Sequence, residues 1–185
     1  LNIMKIASIV VNRNDGYKDF ERGIIHFKSM VETFDEVNYV DWNSPSGSFL
    51  WEIEDKLPKK GKINHYCIPP NIVSQIIMDR NAQKCNESLS RNIAIKRCNA
   101  DWIVSTNLDI IPPTRREMKS LIKSLDKNTF YTISRREAPK EIIYNNRFSK
   151  LREALSNVPS RHFPARVTPN DDYSIINCCG DFQIA

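Results

Sequence analysis

The stretch from residue 86 to residue 113 constrains the fold more than any other part of the chain. Apolar residues recur through its first half at roughly helical spacing, namely Leu89, Ile93, Ala94 and Cys98. The short apolar run Trp102-Ile103-Val104 follows and is typical of a strand covered on both faces. That strand runs into a polar segment ending at Asp109, and Pro112-Pro113 stops regular structure after it.

A polar segment with one carboxylate at the end of a buried strand is where open α/β sheets bind ligands. The carboxylate here is Asp109, and Asn107 precedes it by two residues. On spacing alone, an ordinary turn in which Asp109 caps a helix explains the segment equally well.

Strands and helices alternate along the whole chain. β-rich runs predict strands at 5–11, 37–40, 63–68, 102–105, 130–133 and 174–178. Apolar residues at helical spacing predict helices over 20–34, 49–57, 118–125 and 148–155, with helical parts in 71–98. The segment 157–172 carries three prolines and predicts a long irregular loop, of a kind that is often functional. The order implies one α/β domain over residues 1–185, with a mostly parallel sheet and helices on both faces.

Polar clusters follow three of the early strands, at Asn12–Gly16, Asp41–Ser44 and Asn107–Asp109. Because the carboxyl ends of parallel strands meet at one edge of a sheet, these three loops are expected to share that edge. Three loops of suitable chemistry at one edge point to a ligand site more strongly than any one loop does.

The net charge of +5 suits an anionic ligand, such as a nucleic acid, a nucleotide or a membrane surface. The basic pairs are scattered and carry no interleaved aromatic residues, which favours a solvated face for each: Lys59-Lys60, Arg115-Arg116 and Arg135-Arg136. The five cysteines show neither a CxxC pair nor a zinc-ligand spacing. We expect reduced, mostly buried thiols and a cytoplasmic location.

The chain contains only five glycines and has neither a GxGxxG nor a GxxxxGK[ST] motif. A bound phosphate would therefore be held by something other than a glycine-rich loop. A divalent cation is the natural substitute, because it bridges a carboxylate to pyrophosphate oxygens. Asp109 and Asn107 offer oxygen ligands, and Arg13 and Arg91 are available as further phosphate partners.

Five segments in order resemble GT-A nucleotide-sugar glycosyltransferases close to family 2: VVNRND, YVDWNSP, SRNIAI, ADWIVSTNLDIIPP and CGDF. The chain is particularly similar to glycosyltransferase domains encoded by large DNA viruses of algae, the chlorella virus type. The resemblance runs from about Ile6 to Ala185. The fold it implies is the GT-A fold, and the domain can be the N-terminal part of a longer multidomain protein.

The resemblance implies a metal-dependent enzyme that takes a sugar from a UDP-sugar. The sugar would be glucose or a glucose-derived sugar such as rhamnose, and the acceptor a hydroxyl of a glycan or glycoprotein. Its cofactor would be Mn²⁺ or Mg²⁺, and a virus-encoded enzyme would work in the host cytoplasm. No nucleic acid and no membrane span are expected, since no apolar run approaches the ~20 residues that a membrane span needs.

The resemblance also implies roles for individual residues. The segment Asn107-Leu108-Asp109 stands in the place of the DxD motif, with Asn instead of the first acid. Asp109 would then be the metal ligand, and Asn107 and Leu108 would contact the nucleotide-sugar donor beside it. Asp41 corresponds to the acid that reads the uracil edge.

The remaining implied contacts come from two other elements and the late motif. Val11, Asn12 and Arg13 would lie against the nucleotide, and Arg91 would face the base or the phosphates. Asp181 is the nearest match to the catalytic base. If Asp181 deprotonates the acceptor, the reaction inverts the anomeric centre, and if no carboxylate reaches the acceptor, retention is favoured.

Three other functions stay open on the sequence. A catalytically inactive nucleotide-sugar-binding domain is made plausible by Asn107. A basic nucleic-acid-binding module would follow from the net charge. A nucleotidyltransferase of the same fold would need a glycine-rich signature after the first strand, and VVNRND is not one.

Overall fold

The structure is a computed structural model, and it describes residues 4–14, 20–57, 62–79, 83–84, 86–132, 150, 153, 167–168, 175–176 and 182–184. The strands are β1 Ile6–Asn12, β2 Glu36–Trp42, β3 Lys62–Ile68, β4 Trp102–Thr106, β5 Tyr131–Thr132, β6 Val167–Thr168, β7 Ile175–Ile176 and β8 Phe182–Ile184. The helices are α1 Phe20–Thr33, α2 Phe49–Ile53 with a 3₁₀ turn at Glu54–Lys56, α3 Pro70–Ile76, α4 Glu87–Ile95 and α5 Arg115–Lys123.

The main sheet has the strand order β3-β2-β1-β4-β8-β5. Strands β1 to β4 pair in parallel, whereas β8 lies antiparallel between β4 and β5. The chain builds outward from β1 to β3 and then returns to place β4 on the other side of β1. The strand order therefore reverses between β1 and β4, which is the position where doubly wound sheets form a ligand crevice.

Helices cover both faces of this sheet, which confirms the predicted α/β class. The larger apolar cluster joins one face to α1, α2 and α5 through Phe27, Phe49 and Met118. On the other face, Ala94 of α4 packs against Ile9 and Val40. Two features of the sequence position these helices. Gly23 lets α1 approach the Phe49 ring, because a Cβ at residue 23 would lie 2.3 Å from that ring. Thr114 and Glu117 form a capping box that starts α5 directly after Pro113.

Several predictions about elements need correction. The predicted second helix is a five-residue α-helix that tightens into a 3₁₀ turn. Strand β8 was not predicted, and the predicted irregular loop 157–172 contains β6, which pairs with β7. The expectation of mostly buried cysteines is wrong for the described part of the chain, where Cys67 is exposed and Cys98 is half-buried. The predicted helix at 148–155, apart from residues 150 and 153, lies outside the described residues, as does Asp181.

Among the described residues, no helix combines the length and the apolar character needed to cross a membrane.

Candidate functional site

The strand register brings the ends of β1, β2 and β4, which carry or precede most of the predicted site residues, to one edge of the sheet. Asn12, the last residue of β1, pairs with Asp41 of β2, which in turn pairs with Cys67 of β3. On the other side of β1, Val10 pairs with Thr106, so the end of β4 lies next to the end of β1. The prediction that the loops after these strands share an edge is confirmed.

Asp41 is a fully buried carboxylate at this edge, with 0% of its surface exposed. Its Oδ1 accepts a hydrogen bond from the Ser44 hydroxyl, whose oxygen in turn accepts from the Asn14 backbone N–H at 2.7 Å. Its Oδ2 has no hydrogen-bond partner in the described part of the chain. Because an unpaired buried carboxylate oxygen is costly, this atom is an acceptor in need of a donor.

The groups around Asp41 are neutral near neutral pH. Burial, and then the charge of Asp41, raise the pKa of Tyr39 well above its ordinary range, and the same two causes raise the pKa of the Cys67 thiol. Burial lowers the pKa of His65, although Asp41 acts in the opposite direction. The Asp41 carboxyl group therefore lies beside side chains that are neutral near neutral pH, and Asn12 belongs to the same set because its Nδ2 donates to Tyr39 Oη at 3.2 Å.

The loops after β1 and β2 are tied to each other. Arg13 Nε donates to the Asn43 carbonyl at 3.1 Å, and Asn14 Nδ2 donates to Glu52 Oε1 at 2.8 Å. Asn43 has a φ of 53°, in the left-handed region that Asn tolerates better than most residues. The turn at Asn43 brings Ser44 back onto Asp41, three positions earlier in the chain.

Gln83, which lies between α3 and α4, contacts the end of β2 through its backbone carbonyl. The Gln83 carbonyl accepts from Trp42 Nε1 at 2.9 Å and from Asn43 Nδ2 at 2.6 Å. The Gln83 side chain donates from Nε2 to the carbonyl of Ile77, the residue after α3, at 2.6 Å. Gln83 was not among the predicted site residues, and Ser44 was predicted only as the end of the polar cluster that begins at Asp41. The Ser three residues after a strand-end Asp was a usable signal for Ser44, whereas Gln83 acts through its backbone carbonyl, which no sequence pattern marks.

Arg91 links α4 to the end of β4. Its Nη1 donates to the Ser105 hydroxyl, and its Nη2 donates to Asn107 Oδ1 at 3.0 Å. A further contact joins Nη2 to Glu87 Oε2 at 3.2 Å, but the Glu87 side chain is 60% exposed and that ion pair contributes little. Arg91 thus lies at the predicted edge and orients the Asn107 amide, and its contact with a base or phosphate stays a prediction.

Two predicted residues serve the apolar clusters with their side chains. Val11 packs against the cluster of Ile9, Val40 and Ala94, and Leu108 packs against the larger cluster. Contacts of either residue with a nucleotide would accordingly come from the backbone.

Asp109 lies exposed in the loop between β4 and α5. His26 and Thr33 of α1 hold this loop, because His26 Nδ1 lies 2.7 Å from the Ile110 carbonyl and Thr33 Oγ1 donates to the Pro113 carbonyl at 2.8 Å. Burial lowers the pKa of His26 to about 4, against the opposing effects of the Ile110 hydrogen bond and the Asp109 charge. His26 is therefore neutral near neutral pH.

The arrangement fits a divalent cation only if a ligand shares its coordination. Within the described residues, no three His, Cys, Asp or Glu side chains are grouped so that they could hold a metal ion. Asn107 Oδ1 is engaged by Arg91, which leaves Asp109 as the carboxylate of the segment. Mg²⁺-type sites commonly use one or two carboxylates together with substrate phosphates and waters, and Asp109 suits that kind of site.

Asp181 lies outside the described residues, so its predicted catalytic role stays a prediction. The next residue in the chain, Phe182, pairs with Thr106 at the end of β4. The chain therefore returns to the edge that carries Asn107 directly after Asp181.

No protein-family model and no curated protein matches the chain. Among solved structures, it is similar to S. aureus TarS 1–349 (17% identity, TM-score 0.43), to S. aureus TarS (18%, 0.43) and to 4-diphosphocytidyl-2C-methyl-D-erythritol synthase from Anaerococcus prevotii (12%, 0.42). Each similarity covers 65% of this chain, and the shares of those three chains are 32%, 20% and 50%. The chain thus spans half or less of these proteins, and similarity at this level assigns no activity to it.

Proposed function

We propose that the chain is a GT-A glycosyltransferase domain that binds a UDP-sugar at the edge formed by β1, β2 and β4. The observation that carries the proposal is the buried Asp41 carboxylate, whose Oδ2 lacks a partner in the described part of the chain. It pairs with Asn12 of β1, one strand away from the β1–β4 reversal of strand order, where doubly wound sheets bind ligands. The sequence resemblance described above supports the same reaction class.

Asp41 suits the recognition of uracil. The imide N–H of uracil is a hydrogen-bond donor, whereas the corresponding nitrogen of cytosine carries no hydrogen. A buried carboxylate that needs a donor therefore favours uracil over cytosine. Tyr39 and Cys67 stay protonated beside it and do not compete as anions.

The phosphates of the donor would lie toward β4. Arg13 in the loop after β1 and Asp109 in the loop after β4 would approach them from the two sides of the strand reversal. A Mn²⁺ or Mg²⁺ ion held by Asp109 would supply positive charge to the departing diphosphate. Arg91 would contribute through Asn107, whose amide it orients at 3.0 Å.

The transfer step makes a bond between an acceptor hydroxyl oxygen and the anomeric carbon of the sugar. The bond between that carbon and the diphosphate oxygen breaks, and the electron pair leaves with the nucleoside diphosphate. In our proposal Asp181 takes the hydroxyl proton, which gives inversion at the anomeric centre. The acceptor is a glycan hydroxyl.

Calorimetry with UDP and CDP, with and without Mn²⁺, tests the proposal. We expect tighter binding of UDP than of CDP, and an Asp41→Asn loss of about 1–3 kcal/mol, the usual cost of spoiling a buried hydrogen bond. Asp101→Asn is the matched control, because Asp101 is an exposed carboxylate at the opposite end of β4 that accepts from the Lys5 N–H at 2.8 Å. Equal affinities for UDP and CDP in the unmodified protein would contradict the role of Asp41.

A second candidate is a domain that binds the nucleotide sugar without transferring it. The contact of Arg91 with Asn107 favours this candidate. Asn107 stands where the resembled motif has its first acid, and its Oδ1 already accepts a hydrogen bond from the Arg91 guanidinium. Donor binding without turnover, in the presence of Mn²⁺ and a range of glycan acceptors, would support this candidate. Binding that weakens steeply with salt and survives EDTA would instead indicate a polyanion ligand such as nucleic acid.

A further inference from the structure

Two side chains of α1 hold the loop that carries Asp109. His26 and Thr33 are seven positions apart, which is about two helical turns, so both project from the same face of α1. Each is about 1% exposed. Their partners are the carbonyl groups of Ile110 and Pro113, on the two sides of Pro112.

The His26 contact has a defined direction. A carbonyl oxygen only accepts, so the His26 Nδ1 must carry the hydrogen and donate to Ile110. The neutral ring then carries no hydrogen on Nε2, which is buried and has no hydrogen-bond partner within the described ranges. The imidazole therefore contributes a single directed hydrogen bond, and that bond ends on the residue next to Asp109.

The loop is also attached elsewhere, because Arg91 Nη2 donates to Asn107 Oδ1 at 3.0 Å and Ile110 packs against the larger apolar cluster. A backbone hydrogen bond within the loop joins the Ile110 N–H to the Asn107 carbonyl at 3.3 Å. Leu108 packs into the larger apolar cluster, but Asp109 is exposed. On the side that follows Asp109 in the chain, two hydrogen bonds from α1 hold the loop, so the position of the Asp109 carboxylate depends in part on α1.

We propose that His26 and Thr33 are positioning residues that fix the Asp109 carboxylate where it can share a divalent cation with the donor diphosphate. This inference rests on the proposed function, because it concerns the cation-dependent part of donor binding. It assigns a functional role to two buried residues of α1 that do not contact the ligand themselves.

The chain offers matched substitutions at both positions. In His26→Asn the amide nitrogen takes nearly the place of Nδ1 and can still donate to Ile110, whereas His26→Gln moves the amide one carbon further. Thr33→Ser keeps the hydroxyl, and Thr33→Val removes it at nearly constant volume. Ser29→Ala is the control for a purely structural loss, because Ser29 is buried on the same helix and its hydroxyl donates to Ile25, within α1, at 2.8 Å.

The experiment measures three quantities for each variant: the melting temperature, the UDP affinity in EDTA, and the gain in UDP affinity on adding Mn²⁺. We expect His26→Gln and Thr33→Val to lose at least about fivefold of the Mn²⁺-dependent gain while the affinity in EDTA stays within about twofold, a difference of roughly 1 kcal/mol. His26→Asn and Thr33→Ser should retain the gain. Ser29→Ala should lower the melting temperature and leave the gain unchanged.

The outcomes separate this inference from the function on which it rests. If the unmodified protein gains affinity with Mn²⁺ and both His26→Gln and Thr33→Val keep that gain, the two residues are structural only and the inference is wrong. If the unmodified protein binds UDP but shows no Mn²⁺-dependent gain, the inference is also wrong, although a UDP-binding function stands. If the unmodified protein binds no UDP, the proposed function and this inference are both overturned. Should His26→Gln fail to fold, Thr33→Val decides alone.

Discussion

Arg91 Nη2 donates to Asn107 Oδ1 at 3.0 Å, so a guanidinium holds the side chain that replaces the first acid of the resembled motif. Arg91 is only 14% exposed, and its Nη1 also reaches the Ser105 hydroxyl. A metal ion close to Asn107 Oδ1 would face a fixed positive charge. Position 107 therefore serves the attachment of α4 to β4.

This contact predicts the effect of restoring the acid. In Asn107→Asp, the new carboxylate should pair with Arg91 in a charge-assisted hydrogen bond, which is roughly twice as strong as a neutral one. We expect an unchanged or higher melting temperature and a change in Mn²⁺-dependent UDP affinity of no more than about threefold, or roughly 0.7 kcal/mol. A tenfold gain in Mn²⁺ affinity would show that the metal, and not Arg91, takes the carboxylate.

Asp109 is the residue whose loss should remove the metal effect. It is the carboxylate of the strand-end segment, and it is exposed where a diphosphate can reach it. Asp109→Ala should abolish the Mn²⁺-dependent gain in donor affinity without changing the circular dichroism spectrum. Asp126→Ala is a suitable control, because Asp126 is an exposed carboxylate beyond α5 whose Oδ1 accepts from the Asn128 N–H at 2.9 Å. Unchanged metal-dependent affinity in Asp109→Ala, with the fold intact, would remove Asp109 from the site.

The left-handed backbone at Asn43 predicts a difference between two small residues. At a φ of 53°, a residue with a Cβ is strained by roughly 1 kcal/mol relative to glycine. Both Asn43→Gly and Asn43→Ala lose the side-chain bond to Gln83, so their difference isolates the backbone term. Chemical denaturation should show Asn43→Ala to be the less stable of the two by about 1 kcal/mol. Equal stabilities would mean that the turn changes its conformation when Asn43 is replaced.

His26 should make the protein less stable in mild acid. Burial lowers its pKa in the folded protein to about 4, whereas the pKa in the unfolded chain is near 6.5. Below pH 6.5 the unfolded chain therefore binds a proton that the folded protein does not, and stability falls until the pH reaches about 4. The full difference is about 3 kcal/mol.

The comparison of wild type with His26→Asn isolates this effect, because the two proteins share every other titratable group. The wild type should lose more unfolding free energy than His26→Asn between pH 6.5 and pH 4. Parallel stability curves over that range would show that His26 is not the neutral, buried imidazole that the structure places beneath Ile110.

The elements that the sequence predicted well are those with a local pattern. Helix α1 carries apolar residues at steps of three and four, and the first three strands are continuous β-rich runs, so short-range spacing was enough. Strand β8 has three residues and no period of its own. Its existence depends on pairing with β4 and β5, which are distant in sequence, and no local pattern encodes that pairing.

The same distinction between local patterns and contacts distant in sequence explains which parts of the candidate site could be predicted. The polar residues after β1, β2 and β4 could be placed at one edge from topology alone. The complete burial of Asp41 could not, because it accompanies tertiary contacts that no local pattern encodes, in which the Asn14 backbone N–H donates to Ser44 and Ser44 donates to Asp41. Likewise, the charge of Arg91 suggested a phosphate, but charge does not reveal that Ser105 and Asn107 accept its donors.

Asp181 is the last residue to be tested, and its expected effect differs in kind from that of Asp41 or Asp109. Asp181 itself lies outside the described residues, and Phe182, the next residue in the sequence, pairs with Thr106 of β4. A base at this point would act on the acceptor hydroxyl and leave donor binding alone. Asp181→Asn should keep the UDP-sugar affinity within a few-fold and lower the transfer rate by about 10²–10⁴, the usual contribution of a positioned base.

Two other roles for Asp181 give different results with the same variant. If Asp181 is a second metal ligand, Asp181→Asn should lower the Mn²⁺-dependent affinity for the sugar donor and the transfer rate together, because both need the metal. If Asp181 only stabilises a turn, Asp181→Asn should lower the melting temperature, and donor affinity and transfer rate should fall only as far as the loss of stability requires. Measuring donor affinity, melting temperature and transfer rate on Asp181→Asn therefore distinguishes the three roles. Near-normal transfer would exclude Asp181 as the base and would reopen the choice between inversion and retention.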